Sequence, residues 1–196
     1  MVNRHDHQIK KIILLRKVLS EQEIADILLV WGRFKPAAMI ELSYFPAARF
    51  SRKEFRKKIG DLEKILQKLD LHYRLRINYP KRKKEVTHYS YIARNQKKLK
   101  EIIAADKEGN TKKRRLKVGL LLGYPRTAVQ AFANGEVLNR LPPHVLKREE
   151  LKFLNFRLSR HWRRELDYVR KRTKAIKKIS PKLYQRILNR LKRNIP

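Results

Sequence analysis

The sequence predicts an α+β fold: a small antiparallel sheet of about three strands packed with helices, plus a basic helical C-terminal extension. Three observations predict it. In "LHYRLRINYP", Leu71, Tyr73, Leu75, Ile77 and Tyr79 fall on one side and His72, Arg74, Arg76 and Asn78 on the other, the period of a half-buried strand. "SEQE" (Ser20, Glu23) and "SRKEF" (Ser51, Glu54) carry the capping-box pattern that opens helices. Beyond "LNRLPPHVL" (Leu138–Leu146) only helical patterns occur.

The elements follow in order. A first helix is expected over about Gln8–Leu19. Ser20 opens a second through "IADILLVWG", ended by Gly32 and Pro36. Ala37–Phe45 reads as a strand, and the Ser51 box opens a helix to about Leu69. The alternating strand comes next, then Lys81–Lys84 as a basic turn, and "EVTHYSYIA" returns as the second arm of a hairpin. His72 and His88 are expected on these neighbouring strands. Asn95 caps a helix through Ala105, and "DKEGNT" is a polar break.

"KVGLLLGYPRTAVQAF" (Lys117–Phe132) is the longest stretch with almost no charge. Leu116, Leu120 and Leu121 fit one helical face. Gly123 suits a left-handed helix end, and Pro125 the first turn of the next helix. Ala128, Val129 and Phe132 are expected inward, with an end near Gly135. Gly123, Tyr124 and Pro125 therefore form a structural corner, with both helices pressed on the sheet. The same segment, with Arg126, Thr127 and Gln130, is also the shape of a groove-reading helix-turn-helix. The helix after the turn is short, mostly apolar and has one cation, which favours the corner.

"YIARNQKKLKEIIAADKEG" followed by "GLLLGYPRTAVQAF" resembles a little-characterised, mainly archaeal domain of unknown function. That family has a strand, a short helix and a Leu-Gly-Tyr-Pro corner followed by paired cysteines and Val-x-x-Phe. The resemblance covers about Tyr89–Phe132 and implies the fold of that segment. Thr127 and Ala128 stand at the cysteine positions, so thiol or metal chemistry does not carry over.

The Pro-Pro stretch divides the chain into a core domain over 1–137, a linker over 138–146 and an extension over 147–196. The extension holds 18 Lys+Arg and four Asp+Glu. Leu158, Trp162, Leu166, Val169, Thr173 and Ile176 make its apolar stripe. Ser180-Pro181 caps a last helix with Leu183, Ile187 and Leu191, giving a hairpin that docks on the core or folds on a ligand.

Charge sets the partner class. Across 196 residues, 51 Lys+Arg face 18 Asp+Glu, a net charge of +33. Such density opposes compaction unless a polyanion neutralises it. Nucleic acid is the commonest such partner and an anionic membrane surface the runner-up. There is no cysteine, which excludes disulfides and thiolate metal sites and fits a reducing cytoplasm. The N-terminal stretch reads as neither signal peptide nor membrane span.

Catalytic and cofactor patterns are missing. "HDH" (His5, His7) is a weak chelator by itself. Glu21, Glu23 and Glu54 are explained by helix N-termini, and Glu41 and Asp61 complete no nuclease pattern. No phosphate-binding loop is legible, and no cofactor or metal is expected.

The basic runs lack interspersed acids to balance them. The nucleic-acid contacts expected from them are Arg74 and Arg76 on the strand, and Lys81, Arg82, Lys83 and Lys84 in the turn. Lys112, Lys113, Arg114 and Arg115 precede the corner. Arg160, Arg163, Arg164, Arg170, Lys171, Arg172, Lys174, Lys177 and Lys178 lie in the extension. The expected activity is non-catalytic nucleic-acid binding through phosphates, with ribosomal or other structured RNA favoured over DNA, in a ribonucleoprotein setting. A DNA-binding regulator, a nuclease and a membrane-surface protein are the alternatives.

Overall fold

The computed structural model describes residues 7, 10, 13, 19–44, 52–78, 86–146 and 148–190. The chain is α+β, as expected. Its described elements run α1 (Glu21–Trp31), β1 (Ala37–Tyr44), α2 (Arg52–Lys68), β2 (His72–Asn78), β3 (Val86–Ala93), α3 (Gln96–Asp106), α4 (Lys112–Leu121), α5 (Arg126–Asn134), α6 (Pro143–Leu146), a 3₁₀ turn (Glu149–Phe153), α7 (Trp162–Ile179) and α8 (Pro181–Arg190). The helix expected over Gln8–Leu19 lies mostly outside the described residues, as do Phe45, the Ser51 cap, Tyr79, the Lys81–Lys84 turn and Leu191. His7, Lys10 and Ile13 are helical, and Ile13 is buried.

Both neighbours of β3 run antiparallel to it, giving the order β1-β3-β2. Met39 and Arg74 flank Tyr91, and Ala38 and Tyr73 flank Ile92. The two-residue period sends Ala38, Ile40 and Ile92 to one face and Ala37, Tyr91 and Ala93 to the other. The first face carries the main core, built with α1, α2, α7 and α8. The second is covered by Leu99, Ile102 and Ala105 of α3 and Val118 of α4. His72 faces Ala93 and His88 faces Ile77, so the two histidines sit five rows apart, about 17 Å.

α1 begins as its sequence requires. Ser20 Oγ accepts from the Glu23 amide at 3.3 Å, and Glu23 Oε2 accepts from the Ser20 amide at 2.6 Å. Its buried residues run all round the helix, including Leu28, Leu29 and Val30. The left-handed residue after it is Arg33 (φ 67°), not Gly32. Gly32 serves close approach: a Cβ there would stand 2.8 Å from Ile179 Cδ1.

The helices past residue 147 do not form an appendage with a core elsewhere. Phe153, Val169, Ala175, Ile176, Leu183, Ile187 and Leu188 belong to the same buried cluster as Leu28, Ile40 and Leu66. The Pro-Pro stretch therefore joins two parts of one core. The expected hairpin of α7 and α8 does dock, with Val169 and Ile176 of the predicted stripe in the main core, while Leu158 and Leu166 pack with Val145 and Trp162 in a separate small cluster; α7 starts at Trp162 and Leu158 lies in the preceding loop.

Candidate nucleic-acid interface

α7 concentrates the exposed cations. Its inner side buries Leu166, Val169, Ala175 and Ile176. Its outer side exposes Arg163, Arg164, Lys171, Lys174, Lys177 and Lys178, with Arg160 exposed just ahead of the helix. From Arg163 to Lys178 this ridge spans about 22 Å. Asp167 is the acid on that side, and Arg170 Nη1 donates to it at 2.5 Å. Like charges three and four apart oppose helix formation by a few tenths of a kcal/mol per pair. Packing of the inner face holds the helix against them.

Several of the expected contact residues are engaged otherwise. Arg170 bonds Glu150 as well as Asp167. Arg114 pairs with Asp106 through Nε at 3.1 Å and through Nη2. Arg172 is 2 % exposed and is not a surface contact. Arg74 is exposed on β2, and Arg76 lies farther along the same strand. Lys81, Arg82, Lys83 and Lys84 lie outside the described residues. Lys112 and Lys113 are exposed at the start of α4, whose Thr111 cap accepts from the Arg114 amide at 3.1 Å. Arg115 donates to Asn110, and Lys117 pairs with Glu108.

Arg172 belongs to a buried charged cluster that sequence reasoning missed. Asp26 Oδ1 accepts from Arg172 Nη2 at 2.6 Å, and Asp26 Oδ2 stands 2.9 Å from Lys35 Nζ. Asn155 Nδ2 donates to both carboxylate oxygens, and Asn155 Oδ1 accepts from Arg172 Nη1. Tyr124 lies under Lys35, with the ring centroid 5.3 Å from Nζ. Burial pushes the Lys35 ammonium down to about 8, against the pull of Asp26 and with the push of Arg172. Burial also raises the Tyr124 phenol, with Asp26 acting the same way. Two cations thus share one carboxylate away from water.

A second buried carboxylate fixes the corner. Glu165 is 0 % exposed. It accepts from Thr127 Oγ1 at 2.7 Å and from the Ser159 amide at 2.8 Å, and also from Ser159 Oγ. The corner itself forms as read: Gly123 has φ 71°, and Tyr168 Oη donates to its carbonyl. Gly135 closes α5 at φ 79°. Of the three residues a groove-reading helix would present, Thr127 is spent on Glu165, while Arg126 and Gln130 are exposed. α5 buries Ala128, Val129, Ala131 and Ala133 against its neighbours. Two expectations fail here: Phe132 is 50 % exposed, and Leu120 is exposed too. Small side chains seat α5 on α4 at Gly119, where a Cβ would meet Val129 Cγ2 at 2.8 Å, and the larger Phe132 ring stays at the edge.

Among the described residues, no three His, Asp or Glu side chains stand close enough to hold a metal ion. No helix among them is long and apolar enough to cross a membrane. Comparison with family models, with curated proteins and with solved structures finds no match to this chain.

Proposed function

We propose that the protein binds nucleic acid without turning it over, chiefly through phosphates, with structured RNA favoured over DNA. The observation that supports this is the outer side of α7, a ridge of exposed cations with a single acid among them. Such a surface gains most from a dense, irregular array of phosphates, because each neutralised phosphate releases condensed counterions. Binding also relieves the repulsion along the ridge. A reducing cytoplasm suits a chain without cysteine, and a ribonucleoprotein suits this charge.

Titration with a folded RNA at several salt concentrations tests the reading. If about 6–10 phosphates are neutralised, log K falls against log[salt] with a slope of about −0.7 to −0.9 per phosphate. Lys171→Glu with Lys174→Glu, both exposed, should flatten that slope and leave the fold intact. A wild-type slope shallower than about −2, or a double variant indistinguishable from wild type, sinks the reading.

A further inference from the structure

Between α4, α5 and the loop after the 3₁₀ turn lies an open groove of about 600 Å³. That volume is within the range of small-molecule and cofactor sites. Its walls include Met39, Val118, Val129, Phe132 and Phe156. Arg114, Arg115 and Arg157 line it as well. Phe132, half-exposed, is one of the residues lining this space. Phe156 packs against Tyr124 at 5.4 Å between centroids and edge-on to Tyr168 at 6.0 Å. Neighbouring Asn155 is clamped by Asp26 and Arg172.

From this geometry we propose that the groove takes one unstacked nucleobase of the bound RNA, with its phosphate on Arg115 and Arg157. The inference rests on the nucleic-acid reading above. Two features select this occupant. Aromatic walls match the flat face of a base, whose stacking tolerates any sequence. Guanidinium groups beside those walls match the phosphate attached to it, since arginine presents a planar fork to phosphate oxygens. Exposed Arg157 has no carboxylate partner among the described residues, and Arg115 lies over the Phe132 ring at 5.9 Å. Asn155 has little hydrogen-bonding capacity left for a base edge, so the groove discriminates unpaired from paired and not one base from another. Phe156 also packs on Tyr168 of α7, the helix that carries the ridge.

The test compares a hairpin RNA carrying a single-nucleotide bulge with its fully paired counterpart on the full-length protein. Methyl NMR of Met39, Val118 and Val129 is read beside it, with adenosine 5′-monophosphate, ribose 5-phosphate and decanoate as small probes. The bulged RNA should bind about tenfold tighter than the paired one, the scale of one base stacked on an aromatic ring. Phe132→Ala should abolish that preference while leaving paired RNA unaffected. The methyls should shift with the nucleotide and not with the sugar phosphate. Equal binding of the two RNAs with a steep salt slope overturns the groove alone and leaves the ridge standing. Failure of both RNAs to bind overturns both. A preference that survives Phe132→Ala, or shifts with decanoate and none with the nucleotide, also overturns the base site, the latter in favour of an aliphatic anion.

Discussion

Asp26 on α1 and Arg172 on α7 meet at 2.6 Å across 146 residues of chain. Lys35 shares the same carboxylate. The charge count fixes an order of effects. Asp26→Asn leaves two buried cations without an anion, and should cost about 3–5 kcal/mol. Arg172→Met leaves the Lys35–Asp26 pair intact but strips hydrogen bonds from Asp26 and Asn155, and should cost roughly 2 kcal/mol. Lys35→Met removes the surplus charge and should be neutral or stabilising. Urea unfolding of the three variants checks the order. An Asp26→Asn protein as stable as Lys35→Met would show that the cluster does not bear on stability.

Lys35 also predicts a pH dependence. Its folded value, about 8, is below its ordinary 10.5. Between those values the unfolded chain holds a proton that the folded one has lost, so stability rises with pH across that window. Below pH 8 both states are protonated and the burial cost is felt in full. The whole step is about 3 kcal/mol. Other lysines titrate in the same window, so the readout is wild type minus Lys35→Met. The advantage of the variant at pH 7 should shrink towards pH 10. Parallel stability profiles for the two proteins would refute the assignment.

The parts of this fold that were legible in the sequence are those encoded locally. The Ser20–Glu23 box, the alternation of Leu71–Ile77 and the Gly123 corner each depend on residues within a few positions. The Asp26–Lys35–Arg172–Asn155 cluster joins two short pieces of chain more than a hundred residues apart, and "RKRTK" gives Arg172 no mark among its neighbours. A signal was nevertheless present. Glu165, Val169, Arg172 and Ile176 follow at steps of four, three and four, which places both charged residues on the buried side of α7. Lys35 carried no such signal, because the turn holding it depends on the left-handed Arg33. The ridge was legible as charge, but which cations face outward required the docking of α7. The groove was not legible, since its walls come from β1, α4, α5 and the loop after the 3₁₀ turn.

Gly123 is constrained twice. Its φ is 71°, and a Cβ would stand 2.8 Å from Pro36 Cδ. Gly123→Val should therefore cost more than the roughly 1–2 kcal/mol of the left-handed conformation alone. Gly109, also left-handed at φ 74° but with open space around it, provides the control. Gly109→Val should cost only the conformational part. Equal losses for the two variants in thermal unfolding would remove the steric half of this account.

Truncation separates the fold from its charge. Cutting after Pro143 removes Phe153, Val169, Ile176, Leu183, Ile187 and Leu188 from the main core. Each buried side chain of this size contributes about 1.5–3 kcal/mol. Their sum rivals the roughly 5–15 kcal/mol that holds a whole domain together. The cut also strips Asp26 and Lys35 of Arg172 and Asn155 and leaves Glu165 out of the corner. The 1–143 fragment should therefore lack a cooperative unfolding transition. RNA affinity is the wrong readout, because the fragment stays strongly basic and an unfolded polycation binds polyanions too. The measurement is circular dichroism through a urea titration, with amide NMR dispersion beside it. A sharp transition with dispersed amides would mean that residues 1–143 hold a sufficient core of their own, and that α7 and α8 are an accessory layer.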